Sequence, residues 1–328
     1  MSFVRYNTED SVISSETIVR GLWSGDNNTI TNFFTSSGYS EYYLDVYSSL
    51  LTATGSSTQF DIQYGNLNGS GSTPINPLVN GYSPSRVVYG QYRNLVYGTE
   101  NVNFSFNNST VSNDVFVINI SRARYKESLL PGSFNLKLTS GSRTFYLTDD
   151  SGTTNLTRFI GENRYYNIIS GSNGSAHTPS AASTYYGFMF PDLNIAVLKA
   201  SGSNSVYNFV PALVKTVAAN FNQSKLYASI GASATAGFPL RAQSAETVSS
   251  RYFFTRVKNS DFNYTTNPSI IDSNGNLLYT SLVNNPQTYI TTVGLYNDNN
   301  ELLAVAKLSK PLVKDFTKEA LVRIKLDY

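Results

Sequence analysis

Cysteine is absent from the 328-residue chain, histidine and tryptophan occur once each, and charged residues make up only 14% of it, against roughly a quarter in an ordinary soluble domain. The lack of cysteine excludes disulfides, thiolate metal sites and cysteine nucleophiles together. A chain folding in a reducing cytoplasm loses nothing by it. One histidine cannot build a histidine-rich metal centre. The charges nearly cancel, at a formal +2, and are scattered, so no nucleic-acid partner is expected: such binding needs clustered Lys and Arg to neutralise phosphates. Long apolar runs are also missing. FVPALV, at 209–214, is six residues long, against about 20 for a membrane helix. The opening MSFVRYNTEDSV is interrupted by Arg5 and Asn7 before a signal-peptide core is reached, so a soluble, unprocessed chain with no membrane partner is expected.

What fills the composition is polar but uncharged: Ser, Thr, Asn, Gly and 24 Tyr. With 41% hydrophobic and 13% aromatic residues, burial can offset the entropy of ordering. A chain of this length buries about 75% of its unfolded surface. β-branched residues and Tyr between Gly/Ser/Asn clusters favour short strands joined by turns, and no repeat of 20–50 residues suggests a propeller or solenoid. The expected fold class is mainly β: antiparallel β-sandwich-like domains with a few short helices. The expected division is an N-terminal and middle β-rich region, 1–238, with a sub-boundary near 110, and a C-terminal β-rich domain, 239–328.

Along the chain, Trp23 is expected as a core anchor. SEYYLDVYSSLL at 40–51, where Tyr42, Leu44 and Val46 alternate with Tyr43, Asp45 and Tyr47, and QFDIQYG at 59–65 read as strands, and a Gly/Ser/Pro loop follows. That loop lacks the third glycine of a dinucleotide fingerprint, since Pro74 stands there, and no helix-forming run is seen after it. Val115, Val117 and Asn119 alternate with Phe116, Ile118 and Ile120. Leu136 and Leu138 alternate with Lys137 and Thr139, and a turn at 140–142 should return 143–148 as a hairpin. The best helix is 210–221, with Leu213, Val214, Val217 and Phe221 on one face after Pro211. The last segment, LVRIKLDY, should turn Val322, Ile324, Leu326 and Tyr328 inward and Arg323, Lys325 and Asp327 outward. Before it, TYITTVGLYNDNNELLAVAKLSKPL at 288–312 reads as a hairpin. The unbroken apolar run Leu302, Leu303, Ala304, Val305 and Ala306 suggests a central strand covered on both faces, in which Val305→Lys would abolish folding.

Chemistry is sparse. His177 stands in a small-residue loop, 170–183, and no G-x-S-x-G elbow accompanies it, so a Ser-His-Asp system is not expected. Asp149, Asp150, Glu162 and Asp192 are the carboxylates a glycosidase would have to draw on, yet TDDSG is explained by a polar turn. DSNGN at 272–276 departs from a calcium loop because its glycine comes two residues early and Val283 holds the place of the closing glutamate. It reads as a hairpin turn. No catalytic, cofactor-binding or metal-ligating residue is assigned, no cofactor is expected, and the chain is not expected to be an enzyme. SRVVYGQYRNLVYG interleaves Arg86 and Arg93 with tyrosines that suit a contact surface. Tyr89, Tyr92, Arg93, Tyr97, Tyr185 and Tyr186 are therefore the candidate interface residues, although Tyr is equally an ordinary strand residue.

The strings FNYTTNPSIID (262–272) and PQTYITTVGLYNDNNELLAVAKLSKPLVKDFTKEALVRIKLDY (286–328) resemble the C-terminal region of a family of virion structural proteins of large contractile-tailed bacteriophages and cyanophages. RARYKESLLPGSFNLKL (122–138) and TEDSVISSETIVRGLWSGD (8–26) resemble other stretches of that family. The resemblance implies a β-rich tail or baseplate component, a baseplate-wedge protein by preference, assembled in the host cytoplasm and residing in the virion. Its implied partners are other phage tail and baseplate proteins and further copies of itself, as a dimer or higher oligomer. Segments related to the 293–298 string also occur in tail-fibre proteins, so a receptor-binding protein contacting host glycans is the alternative.

Overall fold

A strand with a continuous apolar run is stable only where both faces of its sheet are covered, and DVFVINI, with its run Val115–Ile118, is such a sequence. In a computed structural model, which describes residues 5–30, 33–35, 43–48, 57–69, 71, 84–106, 110–140, 143–153, 156–176, 185–200, 219–231, 238–265 and 267–328, it forms the strand Asp114–Ile120, buried at every position except Asn119. The chain makes two units. The larger is Thr17–Glu246, and the smaller combines Met1–Glu16 with Thr247–Tyr328. The larger unit runs without a break through position 110. The passage at 246/247 lies close to the division expected at 238/239, but the first sixteen residues go with the C-terminal segment.

The sheet of the larger unit runs in the order Thr29–Ile30, Leu240–Arg241, Asn135–Ser140, Arg143–Asp149, Asn163–Ser172, Gly187–Phe190, Ile195–Lys199, Asp114–Ile120, Thr58–Asn66, Leu44–Tyr47, Phe34–Thr35. Its pairings are antiparallel, and the expected hairpin is present with Asn135 opposite Thr148 and Ser140 opposite Arg143. Strand alternation sends Phe116, Ile118 and Ile120 to one apolar cluster, where Phe60, Leu136 and the helix Ala219–Gly231 (through Leu226 and Ile230) cover them. Val115 and Val117 go to the other, against Phe188, Phe190 and the helix Ser85–Tyr97. Each such fully covered side chain contributes about 1.5–3 kcal/mol. Trp23 is buried as expected, its ring edge-on to Phe60 at 6.5 Å.

The segment after the Gly/Ser/Pro loop is helical, contrary to its reading as strand-like sequence with no helix-forming run. The physical reason is spacing: Val88, Tyr89, Tyr92 and Val96 recur at i, i+1, i+4 and i+8 and form one buried stripe. Gly98, at φ +66°, ends the helix in the left-handed conformation, and its N–H donates to the Asn94 carbonyl at 2.8 Å. The Tyr89 hydroxyl donates to the Ser112 carbonyl (2.8 Å) and accepts from the Phe104 N–H (3.1 Å). Of the expected helix 210–221, residues 210–218 lie outside the described residues, and the observed helix Ala219–Gly231 starts where that reading ends. His177 and the rest of its loop to 183 also lie outside them, whereas 170–176 carries the end of the strand Asn163–Ser172 and the short strand Ser175–Ala176.

The strands Ser11–Gly21, Gln243–Val257 and Ala320–Asp327 lie side by side in that order, the first two passing from one unit to the other at 16/17 and 246/247. Ser250 faces Asp327 and Val257 faces Ala320. Val322 and Ile324 are buried while Arg323, Lys325 and Asp327 are exposed, as the alternation requires. Tyr328 departs from it and is 72% exposed. A second, two-stranded sheet is the hairpin Thr288–Tyr296 with Leu302–Lys314. Its turn is closed by Asn297, whose side-chain oxygen accepts from the backbone N–H groups of Asn299 (3.0 Å) and Glu301 (2.8 Å). DSNGN is a turn, as read from sequence: Asp272 Oδ1 accepts from the N–H groups of Asn274 and Asn276 at 2.8 Å each, and Gly275 sits at φ +82°.

Two glycines test how the helix Ser85–Tyr97 is seated. A Cβ on Gly65 would stand 2.8 Å from the Tyr89 backbone, whereas one on Gly90 would meet nothing within 4 Å. Urea unfolding should therefore show Gly65→Ala destabilised by about 1–3 kcal/mol through overpacking, and Gly90→Ala stabilised by about 0.5–1 kcal/mol through helix propensity.

Candidate assembly surface

The tyrosine and arginine candidates are split between the two cores. Tyr89, Tyr92 and Tyr186 are 1%, 4% and 6% exposed, so the chain's own packing has already taken them and they are corrected from contact residues to core residues. Tyr92 packs beneath the helix. Tyr186 packs edge-on to Phe145 at 5.0 Å, on the opposite side of the sheet from Tyr185, which joins the cluster of Tyr89 and Tyr92. Tyr97 is half-buried against Phe104 (5.5 Å). Arg93, also half-buried, donates to Asn103 Oδ1 at 2.9 Å with its guanidinium 6.0 Å from the Tyr89 ring. The six do not share a face.

The carboxylates have partners within the chain. Asp150 accepts from Arg158 (2.7 Å) and from both the backbone and side-chain nitrogens of Asn167 (3.0 Å each). Asp149 accepts from the Gly132 N–H at 2.8 Å and from Ser151, and burial raises its pKa despite these donors. Both are buried, at 0% and 4% exposure, so TDDSG makes an internal turn rather than a solvated one. Asp192 pairs with Arg164 at 2.8 Å, and Glu162 is exposed. Sequence reading passed over Asp61, which lies opposite Asp45 on the neighbouring strand. Desolvation chiefly, with a smaller push from Asp45, raises its pKa to about 6, against amide donors from Gln63 (2.7 Å) and Asn119 (2.8 Å). Only the pairing across strands reveals it.

The surface that stands out is in the smaller unit. Among the described residues, fifteen of the 24 exposed large hydrophobic side chains belong to it, yet it holds only three of the 44 buried apolar ones: Val257, Val322 and Ile324. The hairpin is the extreme case. No apolar side chain of Thr288–Tyr296 or Leu302–Lys314 is fully buried. Leu303, Val305 and Tyr289 are 67%, 57% and 61% exposed. The expectation of a central strand covered on both faces is thus overturned. The run Leu302–Ala306 has one half-covered side, Ala304 and Ala306, which with Val293, Leu295, Ile324 and Leu326 lines an open groove of about 270 Å³. Its other side is bare.

One buried charge ties the hairpin base to the preceding loop. Lys314 is fully buried, and its Nζ donates to the Asn259 carbonyl, Asn263 Oδ1 and the Asp315 carbonyl, all at 2.9 Å. Three oxygens satisfy the three ammonium hydrogens, the condition under which burial of such a group is tolerated. The hairpin is therefore anchored at one end, half-covered on one face and exposed on the other.

Two outcomes follow. Val305→Lys should remain folded and soluble, with circular dichroism and thermal midpoint close to the parent's, because position 305 already faces solvent. At Asp61 the folded-state pKa lies above the ordinary carboxylate value, so its contribution to stability is present below about pH 4 and lost as pH rises toward about 6. Asp61→Asn should flatten that loss and leave the protein about 1–2 kcal/mol more stable than the parent at pH 7.5 by urea unfolding, a figure reduced for the half-buried position. Comparison of the chain with protein-family models, with curated proteins and with solved structures finds no match.

Proposed function

We propose that the chain is a structural subunit of a contractile-tailed phage virion, in the baseplate or tail, which assembles through protein–protein contacts made by its smaller unit. The observation that carries the assembly part is the lopsided burial just described: fifteen exposed large hydrophobics against three buried apolar residues in one unit. Exposed apolar side chains concentrated on one unit fit a surface completed by another chain. Obligate interfaces, which bury about 2,000 Å² or more, are built from such surfaces. The virion part rests on the resemblance of 262–272 and 286–328 to phage structural proteins, which falls in the same unit. The role is mechanical: a rigid β-rich body passes load between neighbouring tail proteins. A receptor-binding role is favoured by one feature, the exposed Tyr264, Tyr279, Tyr289 and Tyr328, whose rings suit stacking on sugars.

In reconstitution, the parent protein should co-sediment with tail particles. Leu303→Asp together with Val305→Asp should stay folded and lose that co-sedimentation at least about tenfold, a change of about 1.4 kcal/mol. Particles that take up the charged variant as readily as the parent would remove the proposal. Binding of the parent to host cells rather than to particles would support the receptor-binding reading in its place.

A further inference from the structure

Two carboxylates stand opposite each other near one end of the larger unit's sheet. Asp45, on the strand Leu44–Tyr47, is the cross-strand partner of Asp61, on Thr58–Asn66. Opposite residues of an antiparallel pair share a face, with Cβ atoms about 4.5–5.5 Å apart, and like charges so placed are destabilising. Beyond Leu44–Tyr47 the sheet ends, among the described residues, in the two-residue strand Phe34–Thr35. The ladder that has to resist the repulsion is short, and its register shifts between Val46 and Tyr47.

No cation offsets the pair among the described residues. From its own strand and from Asp114–Ile120, Asp61 accepts from Gln63 Nε2 (2.7 Å) and Asn119 Nδ2 (2.8 Å). The helix Ser85–Tyr97 presents Tyr92 to it, and Leu44–Tyr47 presents Asp45. The helix Ala219–Gly231 packs on the other, apolar face through Leu226 and Ile230. Asp45 accepts from the Tyr47 hydroxyl at 3.3 Å, and Tyr43 is the further titratable neighbour of Tyr47. Tyrosines are neutral where carboxylates titrate, so the two aspartates alone set the charge here. Both are half-buried. Burial raises both carboxyls, that of Asp61 to about 6.

We infer that Asp45 and Asp61 form a proton-operated clasp on this end of the sheet. With one proton between them, the Asp61 O–H donates to the Asp45 carboxylate and holds the strands Phe34–Thr35 and Leu44–Tyr47 in place. When that proton leaves to water, two negative charges face each other and those strands open locally. A carboxyl-to-carboxylate hydrogen bond is of the short, charge-assisted kind, and a protonated carboxyl keeps acceptor capacity for its amide donors. Opening uncovers a defined piece of core: Val46, opposite Phe60, is fully buried in the cluster that also holds Trp23. The direction follows from linkage. The folded-state value of Asp61 lies above the ordinary carboxylate value, so the clasp is complete below about pH 4 and is lost as pH rises through about 6. The inference is independent of the assembly role, and it concerns local opening rather than overall stability.

Amide exchange of the full chain, corrected for its intrinsic pH dependence, tests the clasp at about pH 4.5 and about pH 7.5. Amides of 44–47 should open about tenfold more often at the higher pH, while those of Asp114–Ile120 stay protected at both. Asp45→Asn should lower that ratio to about threefold or less although Asp61 is untouched. Asp61→Asn should keep 44–47 closed at both pH values, because its amide donates to Asp45 without titrating. Equal opening of 44–47 at the two pH values in the parent overturns the inference. So does a pH-dependent opening that Asp45→Asn leaves unchanged, which would assign it to the burial of Asp61 alone. A rise in exchange shared equally by 44–47 and Asp114–Ile120 also overturns it, since that is unfolding of the whole sheet.

Discussion

The strand Asp114–Ile120 is covered on both faces, and the larger unit is arranged around that requirement. Phe116, Ile118 and Ile120 need one apolar cover and Val115 and Val117 another, so a helix lies against each side of the sheet. The cover on the Val115 side is fitted closely enough that Gly65 must lack a side chain where the strand Thr58–Asn66 passes under Tyr89. Tyr89 in turn spends its hydroxyl on the backbone of Ser112 and Phe104, which joins the helix to the loop leading into the central strand. Aromatic residues that suit recognition surfaces by composition are here consumed by packing.

The same requirement is left unmet in the smaller unit. Its last strand, Ala320–Asp327, has two inward apolar residues, Val322 and Ile324, and its hairpin has none that are fully covered. An anchored hairpin with one exposed face is costly for a solitary chain, because exposed apolar strands invite aggregation. Lys307, Lys310 and Pro311 on one arm limit that hazard on one side only. Covering the rest with neighbouring chains would resolve the cost and supply the interface, which is why burial, rather than any reactive group, carries the proposed assembly role. Of the four carboxylates, Asp149, Asp150 and Asp192 are bonded to Gly132, to Arg158 and Asn167, and to Arg164 respectively.

Much of this was legible in the sequence where local pattern and burial agree. The 135–149 hairpin, the alternation of the last strand, the DSNGN turn and the buried Trp23 follow from period and turn chemistry alone. The helix Ser85–Tyr97 was missed because Val and Tyr are strand formers by propensity, while its apolar spacing, set by packing on the sheet, is helical. The apolar run at 302–306 misled for the opposite reason. Continuous apolarity states that a strand can be covered on two faces, not that its own chain covers it. Asp61 gave no local signal, since its raised pKa comes from burial and from Asp45 across the ladder. Nor could the sequence show that, among the described residues, one hairpin edge has no strand partner, which depends on where the other strands end up.

The central claim is that the smaller unit finishes its burial against other chains, and amide hydrogen exchange measures it most directly. Exchange should be followed residue by residue in the dilute isolated protein and in the assembly that contains it. Amides of Asp114–Ile120 should be protected in both, and those of 289–295 should exchange rapidly in the isolated chain and become strongly protected on assembly. Equal exchange of 289–295 in the two states would contradict the account.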